Sequence, residues 1–352
     1  MAVYTFWNNK GGVGKSYLTF QVACEYARTH PDQKILVLDL CPQANASGML
    51  LGGLFNGERH LNQLSLETPR KTISGYIEER IISPYLNPCT GATYLSSVST
   101  YNMEVPRNLH LVAGDEQLEI QGSRVVGATN PGPVDAWRSV HSWIRDLIHD
   151  IRNHWNQSET TVFIDCNPSF SIYTELALSA SDRLIIPFSA DASSRRAVRA
   201  VLALVYGIAR NPGTARSEFT INSERWGMKL PQIYCYVGNR LTQYIKSASA
   251  FRSVVTEIGN EIWNVWKSHP NLFWIHPSNA SLPNSRKSFR DMFQYEIADA
   301  NTASVVSSSL GIPIMTLTAG KKEITDGIAP MVNQQQLDRQ QPNIRNLVAT
   351  IE

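Results

Sequence analysis

Apolar positions change their spacing several times along the first forty residues. VYTFW (3–7) is an unbroken aromatic and β-branched run, which predicts a buried strand. After the glycine-rich stretch NNKGGVGK, the segment SYLTFQVACEYARTH sets Leu18, Val22 and Tyr26 at helical spacing and ends before Pro31. KILVLDL (34–40) is continuously apolar again, the pattern of a strand covered on both faces. Strand, loop, helix and strand in that order form a βαβ unit, which implies a parallel sheet and a right-handed crossover.

Further along, residues 52–108 are weakly patterned and rich in Gly, Pro, Asn, Ser and Thr, with one short helix expected near 72–82. NLHLVAG (108–114) reads as a strand and 119–133 as a glycine-rich loop. Residues 135–155 predict a single amphipathic helix, because Trp137, Val140, Ile144, Leu147, Ile148 and Ile151 share one face. Strands are expected at 161–169, 183–189 and 232–238, a strand-like piece at 272–276, and helices at 193–210, 243–267 and 328–350. There is no internal repeat and no interdomain linker. Strands alternating with helices throughout predict one doubly wound α/β domain over 1–352, with a mainly parallel sheet flanked by helices and a surface elaboration at about 52–130.

Composition narrows the class without adding chemistry. Of 352 residues, 43% are hydrophobic and 18% charged, which fits ordinary globular material. No apolar run approaches a membrane span, and the start MAVYTFW lacks the basic region, apolar core and cleavage site of a signal peptide. A cytosolic location is the expectation. The five cysteines are scattered without a C-x-x-C pair, so neither disulfides nor a zinc site is expected. Net charge is +2, so any nucleic-acid argument must rest on local clusters.

The chemistry lies in the first loop. A strand, a glycine turn and a helix starting at Lys15 or Ser16 would surround an anion with backbone N–H groups. Gly11, Gly12 and Gly14 let the main chain approach phosphates, Lys15 would reach the β- and γ-phosphates, and the Ser16 hydroxyl would ligate Mg²⁺. The ordinary P-loop G-x-x-x-x-G-K-[ST] wants glycine where Asn9 stands, and a second lysine, Lys10, needs its own explanation.

K-G-G-V-G-K-S resembles the deviant Walker A loop of the ParA/MinD family of P-loop ATPases, and is closest to its ParA branch. DLCPQANASG (39–48) is similar to that family's D-x-D-P-Q-x-N-A-[ST] segment, and FIDCNPSF (163–170) to its Walker B strand. YVGNR (236–240) sits where the family reads adenine, NLHLVAGDEQL resembles the segment before its long helix, and FWIHPSN (273–279) its late V-I-P-x-N loop. Residues 52–105 are not covered. The resemblance implies ATP and Mg²⁺ as ligands, with Asn9, Lys10, Gly11, Gly12, Val13, Gly14, Lys15, Ser16 and Tyr17 forming the nucleotide loop. It implies Asn239 and Pro277 at the base, and Ser16, Asp39 and Asp165 at the metal. It also implies an ATP-dependent sandwich homodimer, in which Lys10 crosses to phosphates bound by the other subunit.

Departures from the family pattern modify the expected output. Cys41 replaces the second aspartate that orients the attacking water, and a neutral thiol is a poor acceptor. Slow hydrolysis, or ATP binding without hydrolysis, is therefore expected, with Lys10, Lys15, Asp39 and Cys41 as the catalytic set. Tyr17 replaces a small hydroxyl residue but keeps its backbone N–H. ParA-type dimers bind DNA non-specifically and respond to a stimulating or adaptor protein. The basic candidates here are Arg195, Arg196 and Arg199 on one helix and Arg286, Lys287 and Arg290 in NSRKSFR. The C-terminal NIRNLVATIE is a poor lipid-binding face, so no membrane attachment is expected. The leading expectation is a cytosolic or nucleoid-associated partition ATPase that positions or segregates a cargo. An ATP-locked scaffold or signalling subunit of a larger complex is the alternative. An ATP-dependent small-molecule ligase of the same fold is a third reading.

Overall fold

The computed structural model describes residues 2–130, 132–209, 213, 215–241 and 248–352. Eight strands form one sheet: β1 (Ala2–Phe6), β2 (Lys34–Leu40), β3 (Ser96–Ser97), β4 (Leu109–Val112), β5 (Thr160–Cys166), β6 (Arg183–Phe188), β7 (Gln232–Leu241) and β8 (Gln294–Ala298). Their spatial order is β3-β4-β2-β5-β1-β6-β7-β8. Every pairing is parallel except the short edge strand β3 on β4. This is the mainly parallel, helix-flanked α/β sheet expected of a P-loop NTPase.

The unbroken apolar strands have the cause inferred from sequence, since helices cover both faces. Along β2, Leu36, Leu38 and Leu40 enter one core with Trp143 and Ile144, while Ile35 and Val37 enter the other with Leu18 and Val22. The central strand β1 lies between β5 and β6, so the chain after Phe6 emerges where successive connections leave for opposite sides. The carboxyl ends of parallel strands at such a switch point form the usual ligand crevice of open α/β sheets.

Several elements differ from expectation. A helix, Gly53–Leu66, occupies the start of the weakly patterned region, ahead of the expected helix, which spans Ile73–Ile82. Its glycines mark close approach: a Cβ at Gly57 would overlap the Gly48 carbonyl, and one at Gly53 the Ser309 carbonyl. The expected loop at 119–133 is largely the helix Gln117–Thr129. Leu118 and Val125 bury its inner face, and the Arg124–Glu78 ion pair ties it to the helix 73–82, so packing overrides the glycines.

The expected single helix at 135–155 is interrupted at Ser142, giving Ala136–His141 and Trp143–His154. The last helix begins at Gln334, where Asn333 caps it, not at 328. Among the described residues, the piece at 272–276 makes a single bridge, Phe273 to Ile233. Helices Glu218–Arg225, Arg286–Phe293 and Thr302–Leu310, and strand β8, are additions to the expected elements. The helices expected at 193–210 and 243–267 are observed as Ala192–Tyr206 and Ala248–Ser268. Residue 210 of the first and 243–247 of the second lie outside the described residues.

The contact at Gly57 is directly testable. Alanine there gains about 1 kcal/mol of helix propensity. Relieving the overlap with a fixed backbone carbonyl costs about 1–3 kcal/mol. Gly57→Ala is therefore expected to lower the unfolding free energy in urea, whereas Gly127→Ala, with open space around it, should not.

Candidate functional site

The glycine loop rises from β1 into the helix Lys15–Thr29. Gly12 (φ 75°) and Gly14 (φ 78°) adopt left-handed backbone, which turns the chain back over the helix start. No side chain caps this helix, so its first N–H groups face the loop. A side chain added at Gly11 or Gly12 would meet nothing within 4 Å, which is the open cradle a phosphate chain requires. The Lys15 ammonium is buried and donates to the carbonyls of Lys10 (2.8 Å) and Asn8 (3.3 Å), curling the loop around itself. Burial lowers its pKa, with Asp165, Cys166 and Cys41 opposing that shift.

The two aspartates arrive through strand register. Asp39 on β2 pairs with Asp165 on β5, and both are fully buried. Ser16 Oγ donates to Asp165 Oδ2 (2.6 Å) and Thr19 Oγ1 to Oδ1 (3.2 Å), so the carboxylate faces the helix start. Burial raises the Asp165 pKa, Asp39 adds to it, and Ser16 and Lys15 oppose it. Asp39 is also raised by burial, against hydrogen bonds from Ser47 and Cys41. Two buried carboxylates beside one ammonium leave unbalanced negative charge, and Ser16 with Asp165 fits a hard divalent cation. Asp39 is engaged differently. Its oxygens accept from Cys41 N (3.1 Å), Ser47 N (2.9 Å) and Ser47 Oγ (2.8 Å), so it clasps the 41–47 loop instead of standing open to a metal.

Cys41 is buried beside this cluster, and burial with the nearby Asp39 and Asp165 pushes its thiol up to about 12, so it stays neutral. It lines a cleft of about 590 Å³ together with Gly12, Lys15, Ser16, Cys166 and Glu58. Tyr17 lines the same cleft, and its hydroxyl donates to Gln340 (2.6 Å) on the last helix. Val13 is buried and Asn9 exposed, both in the loop.

Lys10 is held within its own chain. Its ammonium donates to Asp191, to Ser189 Oγ (3.0 Å) and to Ser194 Oγ (3.2 Å). Asp191 is the N-cap of the helix Ala192–Tyr206. Burial alone would raise its carboxyl, but hydrogen bonds from Lys10, Ser189 and Ser193 hold it well below the usual range. This acceptor set lies beyond the reach of sequence reasoning; the hydroxyl-rich run SADASS (189–194) signals a helix start, not a lysine partner. Ser47, the clasp on Asp39, is likewise a functional residue that motif reasoning misses, although it lies within the quoted 39–48 segment.

Other expected residues lie elsewhere. Asn239 is buried and spends its amide N–H groups on the carbonyls of Val13 (3.0 Å) and Gly14 (3.3 Å), so here it straps the loop instead of presenting an open base-reading edge. Pro277 is exposed and, like Asn239, is absent from the lining of the cleft beside Lys15. The first basic cluster is neutralised. Arg195 bonds Glu261 (2.6 Å) and Glu257 (2.9 Å), and Arg199 bonds Glu261, all within the face where the helices 192–206 and 248–268 meet. Arg196 points away and is exposed. Arg286, Lys287 and Arg290 are exposed, with Lys287 paired to Asp291 (2.7 Å). No helix among the described residues is long and apolar enough to cross a membrane.

Comparison with known proteins agrees with this geometry. A Cyanothece McdA variant in complex with ATP matches with a TM-score of 0.59 at 12% identity, covering 100% of this chain and 98% of the other. The structure of pNOB8 ParA matches with a TM-score of 0.50 at 13% identity, covering 90% of each chain. At these identities the likeness establishes the fold. An uncharacterized protein of Pseudomonas putida is 25% identical over 194 residues, 54% of this chain and 56% of the relative, so the match spans about half of each. The family model of an AAA domain matches residues 1–220, which includes the glycine loop, both aspartates and Lys10 with its acceptors. The chain belongs to this AAA-domain family, with the fold of the McdA and ParA structures it resembles.

Proposed function

We propose that this protein is a ParA-like ATPase, acting as one domain, that binds ATP with Mg²⁺, closes into a homodimer and hydrolyses the nucleotide slowly. The observation that carries the reading is the convergence of an uncapped helix start, Lys15, Ser16 and Asp165 beside an open glycine cradle. In this reading the backbone N–H groups of residues 11–16 and Lys15 bind the phosphates, while Ser16 and Asp165 hold the metal. Mg²⁺ would supply charge neutralisation at the β- and γ-phosphates. Asp39 fixes the 41–47 loop that carries Cys41 to the cleft. With a neutral thiol where a carboxylate would orient water, positioning of the nucleophile is the missing contribution.

Lys10 supports dimerisation in a specific way. Its carboxylate partner is partly exposed, and pairs of that kind are worth about 0–1 kcal/mol. A partner subunit's triphosphate, carrying several charges, competes readily against so weak a hold. Losing the γ-phosphate restores the balance toward Asp191, which gives a nucleotide-dependent switch. The DNA component rests on Arg196 and on Arg286, Lys287 and Arg290, since Arg195 and Arg199 are occupied. The cleft continues from Cys41 to Leu54, Glu58 and Ser309. That room beside the γ-phosphate position favours, as a second reading, a small acceptor substrate and hence a ligase; turnover that requires an added metabolite would select it.

Three outcomes test the proposal. With ATP and Mg²⁺, wild type should shift to dimer mass by mass photometry, and Lys10→Ala should remain monomeric while still binding nucleotide. Asp191→Asn keeps a competent N-cap but removes the competing charge, so it should dimerise at a severalfold lower ATP concentration. Equal dimerisation of wild type and Lys10→Ala would rule out the crossing lysine. For hydrolysis, Cys41→Asp should raise kcat roughly tenfold or more, the scale of a positioned acid–base group. An unchanged rate would show that Cys41 does not limit turnover. For DNA, Arg286→Glu with Arg290→Glu should weaken duplex binding and reduce its salt slope by about 2. The same loss from Arg195→Glu and Arg199→Glu, at unchanged stability, would relocate the surface.

A further inference from the structure

The elaboration at 52–130 contains a second cleft, of about 530 Å³, between the helices 73–82 and 117–129 and the turn at 90–94. Its lining includes Arg70, Glu78, Glu79, Ile82, Tyr94 and Gln121. Gln121 is 5% exposed. Its Nε2 donates to the Ser74 carbonyl (3.1 Å) and to Glu78 Oε2 (3.1 Å), two acceptors that fix which end of the amide is nitrogen. Its Oε1 is buried without a hydrogen-bond partner among the described residues. A buried acceptor left in that condition costs about 1–3 kcal/mol, so it asks for a donor.

The surrounding charge specifies what kind of donor. Arg124 makes a bidentate bond to both Glu78 oxygens (2.6 and 2.9 Å). Arg70 is spent on Asp115 (2.6 Å) and Glu116 (3.4 Å). Four carboxylates, Glu78, Glu79, Asp115 and Glu116, thus face two guanidinium groups, which leaves two negative charges in surplus, and Glu79 has no guanidinium partner among the described residues. Thr90 and Tyr94 (2.8 Å) both donate to its Oε2, and its Oε1 accepts no hydrogen bond among the described residues. The side chains that carry these two oxygens, one anionic and one neutral, line a cleft whose rim is apolar at Pro69 and at Ile82, the latter 77% exposed. A metal ion without nucleotide phosphates to complete its shell is a poor fit, since no group of three or more His, Cys, Asp or Glu among the described residues is placed to hold one.

We propose that this cleft binds a small organic cation, with a guanidinium or primary ammonium head on Glu79 Oε1 and Gln121 Oε1 and a short aliphatic tail against Ile82 and Pro69. The volume is that of a small-molecule site. The site lies apart from the nucleotide loop and does not depend on ATP.

Isothermal titration of the full chain with n-butylguanidine, n-butylamine and the neutral isostere n-butylurea tests this. The expected result is one saturable site for n-butylguanidine or n-butylamine, whichever head fits, with n-butylurea at least roughly tenfold weaker, as loss of a charge-assisted hydrogen bond implies. Glu79→Gln and Gln121→Leu should each weaken the cation at least roughly tenfold. Ile82→Arg, which changes an exposed side chain and supplies a guanidinium in place of the ligand, should abolish binding with the circular dichroism spectrum and melting curve unchanged. If Gln121→Leu fails to fold, the other two variants decide. Absence of saturable binding by either cation up to about 10 mM, a range that spans weak small-ligand affinities, would overturn the proposal. So would equal binding of the urea, or unchanged binding to Glu79→Gln.

Discussion

The site depends on the parallel register of β2 against β5. That register sets Asp39 beside Asp165 at full burial, at the end of the sheet where the glycine loop crosses. Two carboxylates placed so close cannot both ionise cheaply, and burial raises both. The fold tolerates them because each is bonded by hydroxyl or amide donors and because Lys15 stands nearby. The surplus negative charge also sets the binding logic. In the proposed reading, phosphates would meet Lys15 and the helix-start N–H groups, and Asp165 would give a divalent metal a place beside them. A neutral replacement of Asp165 would relieve the sheet and, in the proposed reading, remove the reason for a metal to settle there.

Asp39 and Asp165 have separate duties despite their pairing. Asp165 faces the helix start through Ser16 and Thr19. Asp39 is turned into the 41–47 loop, and Ser47 Oγ passes the bond on by accepting from Gly114 N (2.9 Å). The position of Cys41 therefore depends on a clasp that joins the end of β2, the helix Asn45–Leu50 and the chain just after β4. At Gly114 a Cβ would stand 2.8 Å from the carbonyls of Asp39 and Cys41, so only glycine lets β4 approach the loop so closely. Chemistry at the cleft is thus constrained from the far side of the sheet edge.

The glycine loop, the apolar strands and the order of the first βαβ unit are legible from residue spacing alone, because strands buried on both faces cannot alternate and a phosphate loop needs bare backbone at the positions that would face the anion. The features that spacing hides share a cause. The helices 53–66 and 117–129 carry glycines that read locally as breaks, yet Gly57 is needed for contact with Gly48, a residue outside its own helix. Arg195 and Arg199 read as a basic face because their partners Glu257 and Glu261 lie more than fifty residues on, across a packed helix pair. Lys10 carries the clearest signal of a role, but its partner, Asp191, is fixed by the end of β6 and not by the loop. Local pattern identifies groups; long-range packing decides which of them are already satisfied.

That distinction bears on how the elaboration relates to the ATPase. Asp115 follows Gly114 directly, and it collects Arg70 (2.6 Å), Thr72 and Ser74 (2.7 Å) at the base of the second cleft. The residue that anchors the elaboration is therefore one peptide bond from the residue that bonds Ser47. A displacement of Asp115 large enough to break its hydroxyl bonds would also move Gly114, and Gly114 has no slack against Asp39 and Cys41. Close-packed interiors transmit such shifts because they have few intermediate arrangements. The weakly patterned segment is thus mechanically continuous with the nucleotide cleft: its polar anchor and the loop carrying Cys41 share one rigid turn.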